Sequence, residues 1–385
     1  MHNKHTRFTV DGSDALEERL ENICTQVRAG IQRIIPARKL EALVLGGGYG
    51  RGEGGVLQTL GADQPYNDIE FYVLVRGPCL WNQRKYGASL YAFAQDLSLI
   101  SGLHVEFKLD SLQRLRAMPI SMFTYDLVSA HRRLLGTETV FQGCNHHLRS
   151  EDIPLSEATR LLCNRCSGLL LVRELLAETS LTEKQSDFIG RNLAKASLAL
   201  GDALLVAAGT YHWSALMRGE RVASFGASAD VPELAVLKYH HRAGLEFKFH
   251  PRRILKEPKD FRLEHREISL LAQRLWLWIE CRRLGRSFSN INEYALSDVN
   301  KCPETAVSKN YLLTLRTFGP VAAMGPLGGR YPRERLFNSL PLLLWNGEVS
   351  REPEIRRHLQ RQLRSAAPDW AGLVAAYKEI WPPYG

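Results

Sequence analysis

The chain has no hydrophobic run long enough to cross a membrane. A membrane-spanning helix needs about 20 consecutive apolar residues, and no segment of the 385 residues approaches that length. The first residues, Met1–His5, are polar and lack the apolar segment of a signal peptide. The seven cysteines are an odd number without regular spacing, which is typical of thiols in a reducing compartment. We therefore expect a cytoplasmic protein that is not bound to a membrane.

Internal repeats and low-complexity tracts are also absent, and the composition is that of an ordinary folded protein. Hydrophobic residues make up 45% and charged residues 24% of the chain, so a large disordered region is not expected. A chain of 385 residues is too long for one small core. The length therefore predicts two domains.

Positive charge exceeds negative charge, mainly in the second part of the sequence. The formal net charge is +9. Residues 1–150 contain 17 Lys and Arg against 15 Asp and Glu, and residues 151–385 contain 33 against 26. A basic surplus favours an anionic partner, which includes a nucleotide, a nucleic acid or an acidic protein surface.

The hydrophobic pattern of residues 1–150 predicts short strands that alternate with helices. Apolar residues recur at helical spacing over residues 14–35, and Pro36 ends this predicted helix. Asp68–Val75 alternates between two sets of side chains, as expected of a strand with two different faces. Further strands are predicted at Ala42–Leu45 and Leu103–Leu109, and further helices at Tyr86–Ile100 and Ile120–Leu135.

From Ser156 onward the pattern predicts helices, with one basic, irregular segment near residues 211–258. We therefore expect an α+β fold, in which a small mixed sheet with helices over residues 1–150 is followed by an all-helical domain over residues 151–385. The predicted helices of the second domain are Ser156–Ala177, Glu183–Ala208, Leu263–Leu284, Val307–Thr317, Glu334–Leu344, Glu352–Ser365 and Trp370–Ile380.

A glycine cluster and three acidic residues carry the chemical signal of the first domain. Residues 46–55 contain seven glycines, and a backbone without Cβ atoms can approach a phosphate closely. Asp68 and Glu70 are two residues apart on one strand, so their side chains leave the same face about 6–7 Å apart. Glu106 occupies the corresponding face of a later strand. Such carboxylates can bind one or two Mg²⁺ ions, which neutralise phosphate charge and activate an attacking oxygen.

These segments resemble the motifs of the DNA polymerase β-like nucleotidyltransferase superfamily. Gly47–Glu53 reads Gly-Gly-Tyr-Gly-Arg-Gly-Glu, and Asn67–Glu70 reads Asn-Asp-Ile-Glu. Minimal and antibiotic nucleotidyltransferases have Gly-Ser-x-x-Arg-Gly-Glu followed by Ser-Asp-hydrophobic-Asp, with a third acid on a later strand. The resemblance covers residues 40–136 by motif and continues only as a loose likeness to the helical domain that follows in that superfamily.

The resemblance implies Mg²⁺-dependent transfer of a nucleoside monophosphate from a nucleoside triphosphate, with ATP expected, to an acceptor hydroxyl. Its metal-binding and catalytic residues would be Asp68, Glu70 and Glu106, and Glu106 would ligate metal or act as general base. A lysine from the helical domain often lies near the phosphates in that superfamily. The implied nucleotide contacts are Gly47, Gly48, Tyr49, Arg51 and Lys195.

The sequence departs from the superfamily pattern in three ways. Gly48 replaces the usual serine, and the separation between Gly48 and Asp68 is longer than usual, which implies an inserted loop over residues 54–66. Glutamate stands at positions 70 and 106, where aspartate is more common.

Alternative interpretations remain for several of these residues. Asp110 could replace Glu106 as the third acid, or Glu106 could be an exposed strand residue paired with His104 or Lys108. Arg51 and Glu53 could form a structural ion pair, which we favour slightly for Glu53. Lys195 could equally belong to a solvated basic face.

Two further patterns are interpreted structurally. Cys163 and Cys166 have zinc-ligand spacing but lie in a predicted helix, where small core residues are more usual. The basic runs Lys238–Arg242 and His250–Arg253 could contact nucleic acid or an acidic partner, but we favour a solvated basic loop.

The acceptor is the least determined part of this hypothesis. We expect a small molecule or a protein, because no RNA-binding module is recognisable and the basic residues are dispersed. An RNA end, such as that of tRNA, is the first alternative. A non-catalytic nucleotide-binding or interaction protein with the same fold is the second.

Overall fold

The computed structural model describes residues 7–66, 68–226, 230–253, 255–346 and 352–384. The chain divides into two compact units, each of which draws on separate stretches of sequence. The first unit consists of Met1–Glu157, Leu204–Phe225 and Arg242–Arg252, and the second consists of Ala158–Ala203, Gly226–His241 and Arg253–Gly385. The sequence division at residue 150 placed 204–225 and 242–252 with the helical part, whereas their contacts group them with the first unit. Among the described helices, none combines the length and the apolar character that crossing a bilayer requires.

Short strands and helices alternate at the start of the first unit, as the sequence pattern predicted. In chain order they are α1 (Asp14–Ile34), β1 (Leu40–Leu45), α2 (Gly47–Gly50), β2 (Gly55–Leu57), β3 (Gln64–Tyr66), β4 (Ile69–Val75), α3 (Cys79–Ser101), β5 (Val105–Asp110), α4 (Leu112–Ala117), α5 (Met122–Ser129) and β6 (Arg132–Leu135).

Four of these strands form one mixed sheet in the order β5-β4-β1-β6. Strand β4 pairs antiparallel with β1 and parallel with β5, and β6 pairs antiparallel with β1. Strands β2 and β3 form a separate hairpin within the predicted inserted loop. The expectation of a small mixed sheet in the N-terminal part, followed by helices, is confirmed.

Strand β4 lies at the centre of the core and is buried on both faces. Ile69, Phe71 and Val73 pack with residues of α1 and α3 in one hydrophobic cluster. Tyr72 and Leu74 belong to a second cluster on the opposite face. The predicted alternation of side chains along this strand is therefore confirmed.

The predicted helix Ile120–Leu135 is wrong at its C-terminal end. Helix α5 ends at Ser129, and Ala130 has extended backbone angles (φ −150°, ψ 106°). The following residues form β6, in which Leu135 pairs with Leu43. Pairing with an available sheet edge therefore outweighs the helical pattern of these residues, a tertiary effect that local propensity does not contain.

The prediction of an irregular segment near residues 211–258 is also wrong where two helices lie, α8 (Ala215–Ala223) and α9 (Leu234–Phe249). Residues 227–229 and residue 254 are outside the described ranges. Helix α9 buries Leu237, His240 and His241, which share one helix face. Two of these three residues are histidines, so the buried stripe does not look hydrophobic in the sequence.

Beyond β6, the described residues contain helices and no strand. Helices α7 and α9 each contribute residues to both compact units. Apart from α8 and α9, the α-helices of the described residues are α6 (Ser156–Leu175), α7 (Glu183–Ala207), α10 (Pro258–Leu284), α11 (Ile291–Leu296), α12 (Val307–Phe318), α13 (Pro320–Ala323), α14 (Arg333–Trp345), α15 (Pro353–Leu363) and α16 (Trp370–Tyr384).

The packing of α1 against α3 gives a stability prediction. A Cβ atom at Gly30 of α1 would lie 2.0 Å from Cζ of the Phe93 ring. Gly30→Ala should therefore lower the free energy of unfolding by about 1–3 kcal/mol, because overpacking outweighs the gain in helix propensity of about 1 kcal/mol. Urea denaturation monitored by circular dichroism measures this change.

Gly87→Ala in α3 is the matched control. The nearest atom to its added Cβ is Nε2 of Gln83, at the end of a flexible side chain. This variant should be more stable than wild type by about 0.5–1 kcal/mol. A stabilised Gly30→Ala protein would contradict the close contact between the two helices.

Candidate functional site

The parallel pairing of β4 with β5 brings two of the predicted site residues together. Glu70 and Glu106 are direct partners in the register of these strands, so their Cα atoms are about 4.8 Å apart. Asp68 immediately precedes β4 and is exposed. Asn67 of the same motif lies outside the described residues. The three carboxylates selected from the sequence therefore stand at the same end of two neighbouring strands.

The register also separates Glu106 from its alternative, Asp110. Asp110 pairs with Leu74, at the opposite end of β5, about 13 Å along the strand from Glu106. Its carboxylate accepts hydrogen bonds from Arg114 (3.0 Å) and from the Cys79 thiol (3.2 Å). Glu106 is thus the acid that lies beside Glu70.

Lys108 lies between the two glutamates. Its ammonium group donates a hydrogen bond to Glu70 Oε1 at 2.7 Å and lies 3.4 Å from Glu106 Oε2. The other oxygen of Glu70, Oε2, accepts a hydrogen bond from the Tyr72 hydroxyl at 3.2 Å. Both carboxylate oxygens of Glu70 therefore accept a hydrogen bond from the protein. The Lys108–Glu106 ion pair, which the sequence analysis gave as the alternative role of Glu106, is also present.

The charged groups of this cluster shift the pKa values of Lys108 and Tyr72. Partial burial alone would lower the pKa of Lys108, but its hydrogen bond to Glu70 and the charges of Glu70 and Glu106 outweigh burial and raise that pKa. Burial and the neighbouring Glu70 raise the pKa of Tyr72. Lys108 is therefore a protonated cation and Tyr72 a neutral hydrogen-bond donor at neutral pH. Within the described ranges, no three Asp, Glu, His or Cys side chains are already arranged around a common metal position.

The glycine loop begins where β1 ends and lies directly against Glu70. The amide of Gly46 donates a hydrogen bond to the Glu70 carbonyl oxygen at 2.9 Å. Gly47 has φ +62°, and a Cβ atom there would be 3.4 Å from Glu70 Oε2. A side chain at position 47 would be strained and would also reach the carboxylate. This backbone is therefore open on the side that faces the acidic residues.

Gly48 is required by the internal structure of the loop. Its carbonyl oxygen accepts a hydrogen bond from the Glu53 amide at 2.8 Å. A Cβ atom at Gly48 would lie 2.9 Å from the Glu53 carbonyl oxygen. Glycine at position 48 is thus explained by packing within the loop. The hydroxyl that serine supplies at this position of the superfamily motif is absent.

The side chain of Tyr49 points into the interior of the loop. It is 2% exposed. Its hydroxyl accepts a hydrogen bond from the Tyr66 amide (2.8 Å) and lies 2.9 Å from the carbonyl oxygens of Gly55 and Tyr66. The Tyr49 side chain therefore joins the glycine loop to the β2–β3 hairpin.

Arg51 and Glu53 do not pair with each other as the sequence suggested. Arg51 Nη1 lies 3.3 Å from Asp126 Oδ2 on α5. The same carboxylate oxygen accepts a hydrogen bond from the Tyr211 hydroxyl at 3.4 Å. Asp126 therefore orients Arg51 and links the loop to residues 204–225, which belong to the same compact unit.

Glu53 is a buried cap for the N-terminus of α8. Its side chain accepts hydrogen bonds from Ser214 Oγ (2.6 Å) and from the Ala215 amide (2.8 Å). Lys248 donates to the Glu53 carbonyl oxygen at 2.8 Å. Burial alone would raise the pKa of Glu53, but the charge of Lys248 and the hydrogen bonds from Ser214 and Ala215 together lower it. Glu53 thus has the structural role that the sequence favoured, but its side chain bonds to Ser214 and Ala215 and not to Arg51.

The remaining candidates lie elsewhere in the chain. Lys195 is exposed on α7, in the second compact unit. Cys163 and Cys166 are buried within α6, and burial raises the pKa of both thiols. In the first basic run, His240 and His241 are buried, and their Nε2 atoms lie 3.2 Å from Glu267 and 3.4 Å from Asp202, respectively.

Sequence reasoning missed several residues that hold the glycine loop. Asp126, Tyr211, Ser214 and Lys248 are distant from the motif in the chain, and no spacing rule connects them with it. Ser214 was the one visible signal, because serine ahead of a helix is a common N-cap and its Oγ accepts a hydrogen bond from the Met217 amide.

No protein-family model matches this chain, and no curated protein matches it either. The resemblance to nucleotidyltransferases therefore rests on the sequence motifs and stays an expectation.

The buried cap gives a pH-dependent prediction. Glu53→Gln should lower the free energy of unfolding at neutral pH by about 1.5–3 kcal/mol, the range for hydrogen bonds to a charged group. The folded-state pKa of Glu53 is lowered from an unfolded value of about 4.3. Its stabilisation is present above that value and lost as pH falls through the folded pKa. Urea denaturation of both proteins from neutral to acidic pH measures the difference, which should shrink below about pH 4.

Glu138→Gln provides the control, because the Glu138 side chain is 81% exposed in its ion pair with Arg133. This variant should change stability by less than about 0.5 kcal/mol at any pH. A difference for Glu53→Gln that does not depend on pH would contradict the role of the ionised carboxylate.

Proposed function

We propose that this protein is a Mg²⁺-dependent nucleotidyltransferase of the DNA polymerase β-like superfamily that acts in the cytoplasm. It would transfer a nucleoside monophosphate from a nucleoside triphosphate, with ATP expected, to a hydroxyl-type acceptor on a small molecule or a protein. The observation that carries the proposal is the placement of Glu70 beside Glu106 with the Gly47 backbone against Glu70. The seven cysteines, all within the described ranges, are free thiols, which fits a reducing compartment.

The residues present fit a site for Mg²⁺, because carboxylate oxygens are the ligands that this ion prefers. Asp68 and Glu70 would hold it. When bound, the ion would neutralise charge on the triphosphate and on the leaving pyrophosphate. The open backbone of Gly47, with Gly48 following it in α2, would contact the phosphates, and Arg51 would add a fixed positive charge at the loop.

In the reaction, the acceptor oxygen forms a bond to the α-phosphorus while the bond to the pyrophosphate oxygen breaks. Pyrophosphate leaves with the electron pair of that bond. The proton of the acceptor hydroxyl goes to the carboxylate of Glu106, the acid beside Glu70.

A non-catalytic nucleotide-binding or interaction protein is the second candidate. The observation that favours it is the ion pair of Lys108 with Glu70 and Glu106, which neutralises part of the acidic cluster. RNA remains an alternative acceptor. Incubation with α-labelled nucleoside triphosphates, Mg²⁺ and cell extract, followed by separation of protein, RNA and small molecules, identifies the labelled acceptor.

The metal-binding role of Asp68 and Glu70 has a direct test. The double variant Asp68→Asn/Glu70→Gln should remain folded, because Asp68 is exposed and the Glu70 side chain is 28% exposed. Its Mg²⁺-dependent nucleotide affinity should fall by more than about 100-fold. Mutation of even a hydrogen-bond partner of a metal ligand lowers metal affinity by about 10–100-fold. Calorimetric titration of nucleotide with and without Mg²⁺ measures this loss.

The matched control is Glu18→Gln/Asp96→Asn, which removes the same charges from exposed positions on α1 and α3. It should bind nucleotide as wild type does. Unchanged Mg²⁺-dependent affinity in the Asp68/Glu70 variant would remove both residues from the site.

Glu106→Gln separates the enzyme from the non-catalytic protein. The substitution keeps the shape of the side chain but removes the proton acceptor. Nucleotide affinity should fall modestly, while transfer should fall by about 10²-fold or more, the scale of general base catalysis. Pyrophosphate release in the presence of the acceptor fraction measures turnover.

Equal pyrophosphate release by wild type and Glu106→Gln would exclude Glu106 as the base. No release from wild type with any nucleotide or extract would favour the non-catalytic protein.

A further inference from the structure

The position of the Lys108 ammonium group limits how many metal ions the carboxylates can hold. It lies 2.7 Å from Glu70 Oε1 and 3.4 Å from Glu106 Oε2. A Mg²⁺ ion shared by both glutamates would lie about 2.0–2.1 Å from an oxygen of each. Such an ion and the ammonium group would compete for the same space. A cation that bridges Glu70 and Glu106 therefore excludes Lys108 from its present position.

Lys108 is held in that position by the sheet itself. It belongs to β5, two residues after Glu106, so both side chains leave the same face of the strand. Its partner in the register is Tyr72, and the ammonium group lies 5.6 Å from the centre of the Tyr72 ring. The Tyr72 hydroxyl in turn donates to Glu70. The backbone of Lys108 is thus fixed by regular secondary structure, and its ammonium group is held by the contacts with Glu70 and Glu106.

Charge balance in the absence of nucleotide agrees with this limit. Asp68, Glu70 and Glu106 carry three negative charges, and Lys108 contributes one positive charge. The remaining two negative charges match one divalent cation. A second divalent cation would leave the cluster with an excess of positive charge before the phosphates are counted, and it would bring two more like charges close to Lys108.

We propose that this site takes a single divalent cation, on Asp68 and Glu70, and that Lys108 occupies the place of a second one between Glu70 and Glu106. The inference rests on the proposed function. Glu106 is then a proton acceptor positioned by Lys108 and not a metal ligand. The Lys108 side chain then supplies the positive charge that a second metal ion between Glu70 and Glu106 would otherwise supply.

The test is the ratio of bound metal to bound nucleotide. Equilibrium dialysis with Mn²⁺, which takes the same oxygen ligands, and α,β-methylene-ATP, which cannot release pyrophosphate, gives both amounts per chain. Wild type should retain one Mn²⁺ per analogue. Lys108→Met removes the ammonium group and should retain two, while Lys108→Arg should retain one.

Lys39→Met is the matched control, because Lys39 is exposed and precedes β1; it should give the wild-type ratio. Circular dichroism verifies that each variant is folded, and Lys108→Gln replaces Lys108→Met if that protein does not fold. Two Mn²⁺ ions per analogue on wild type would overturn the single-cation inference but not the proposed function. One Mn²⁺ ion per analogue on a folded neutral Lys108 variant would do the same. Retention of neither Mn²⁺ nor analogue by wild type would overturn the proposed function and the inference with it.

Discussion

The register of β4 between β1 and β5 is the constraint on which the candidate site depends. It places Glu70 opposite Glu106 and allows the amide of Gly46 to reach the Glu70 carbonyl. Because side chains alternate along a strand, a shift of β5 by one residue would turn Glu106 to the other face of the sheet. Both faces of β4 are buried in hydrophobic clusters. The core therefore fixes the register, and the register fixes the acidic cluster.

This arrangement brings like charges together, which opposes folding. Carboxylates that face each other across neighbouring strands repel. Lys108 and Tyr72 offset that repulsion with a short ion pair and a hydrogen bond to Glu70. The same two contacts orient the Glu70 carboxylate, so stability and pre-organisation of the site come from the same residues.

The sequence predicted the sheet-forming part of the site well because its signals are local. Alternation along residues 69–75 and the glycines after β1 are visible in a short window. Long-range contacts are not visible in this way, and Glu53 receives its hydrogen bonds from Ser214 and Ala215, far along the chain. Burial of His240 and His241 likewise concealed helix α9, since a histidine in the core looks like a surface residue in the sequence. The missed features are those that tertiary packing determines.

The first compact unit incorporates residues 204–225 and 242–252, which has a consequence for biosynthesis. During translation the strands and the glycine loop leave the ribosome long before Ser214 and Lys248 have been made. Until then, the carboxylate of Glu53 lacks its donors Ser214 and Ala215, and the Glu53 carbonyl oxygen lacks Lys248. The nascent N-terminal part must therefore stay incomplete while α6 and α7 are synthesised. Its last contacts to form join residues that are far apart in the sequence. A chain interrupted before residue 214 would present an unfinished glycine loop to the cell.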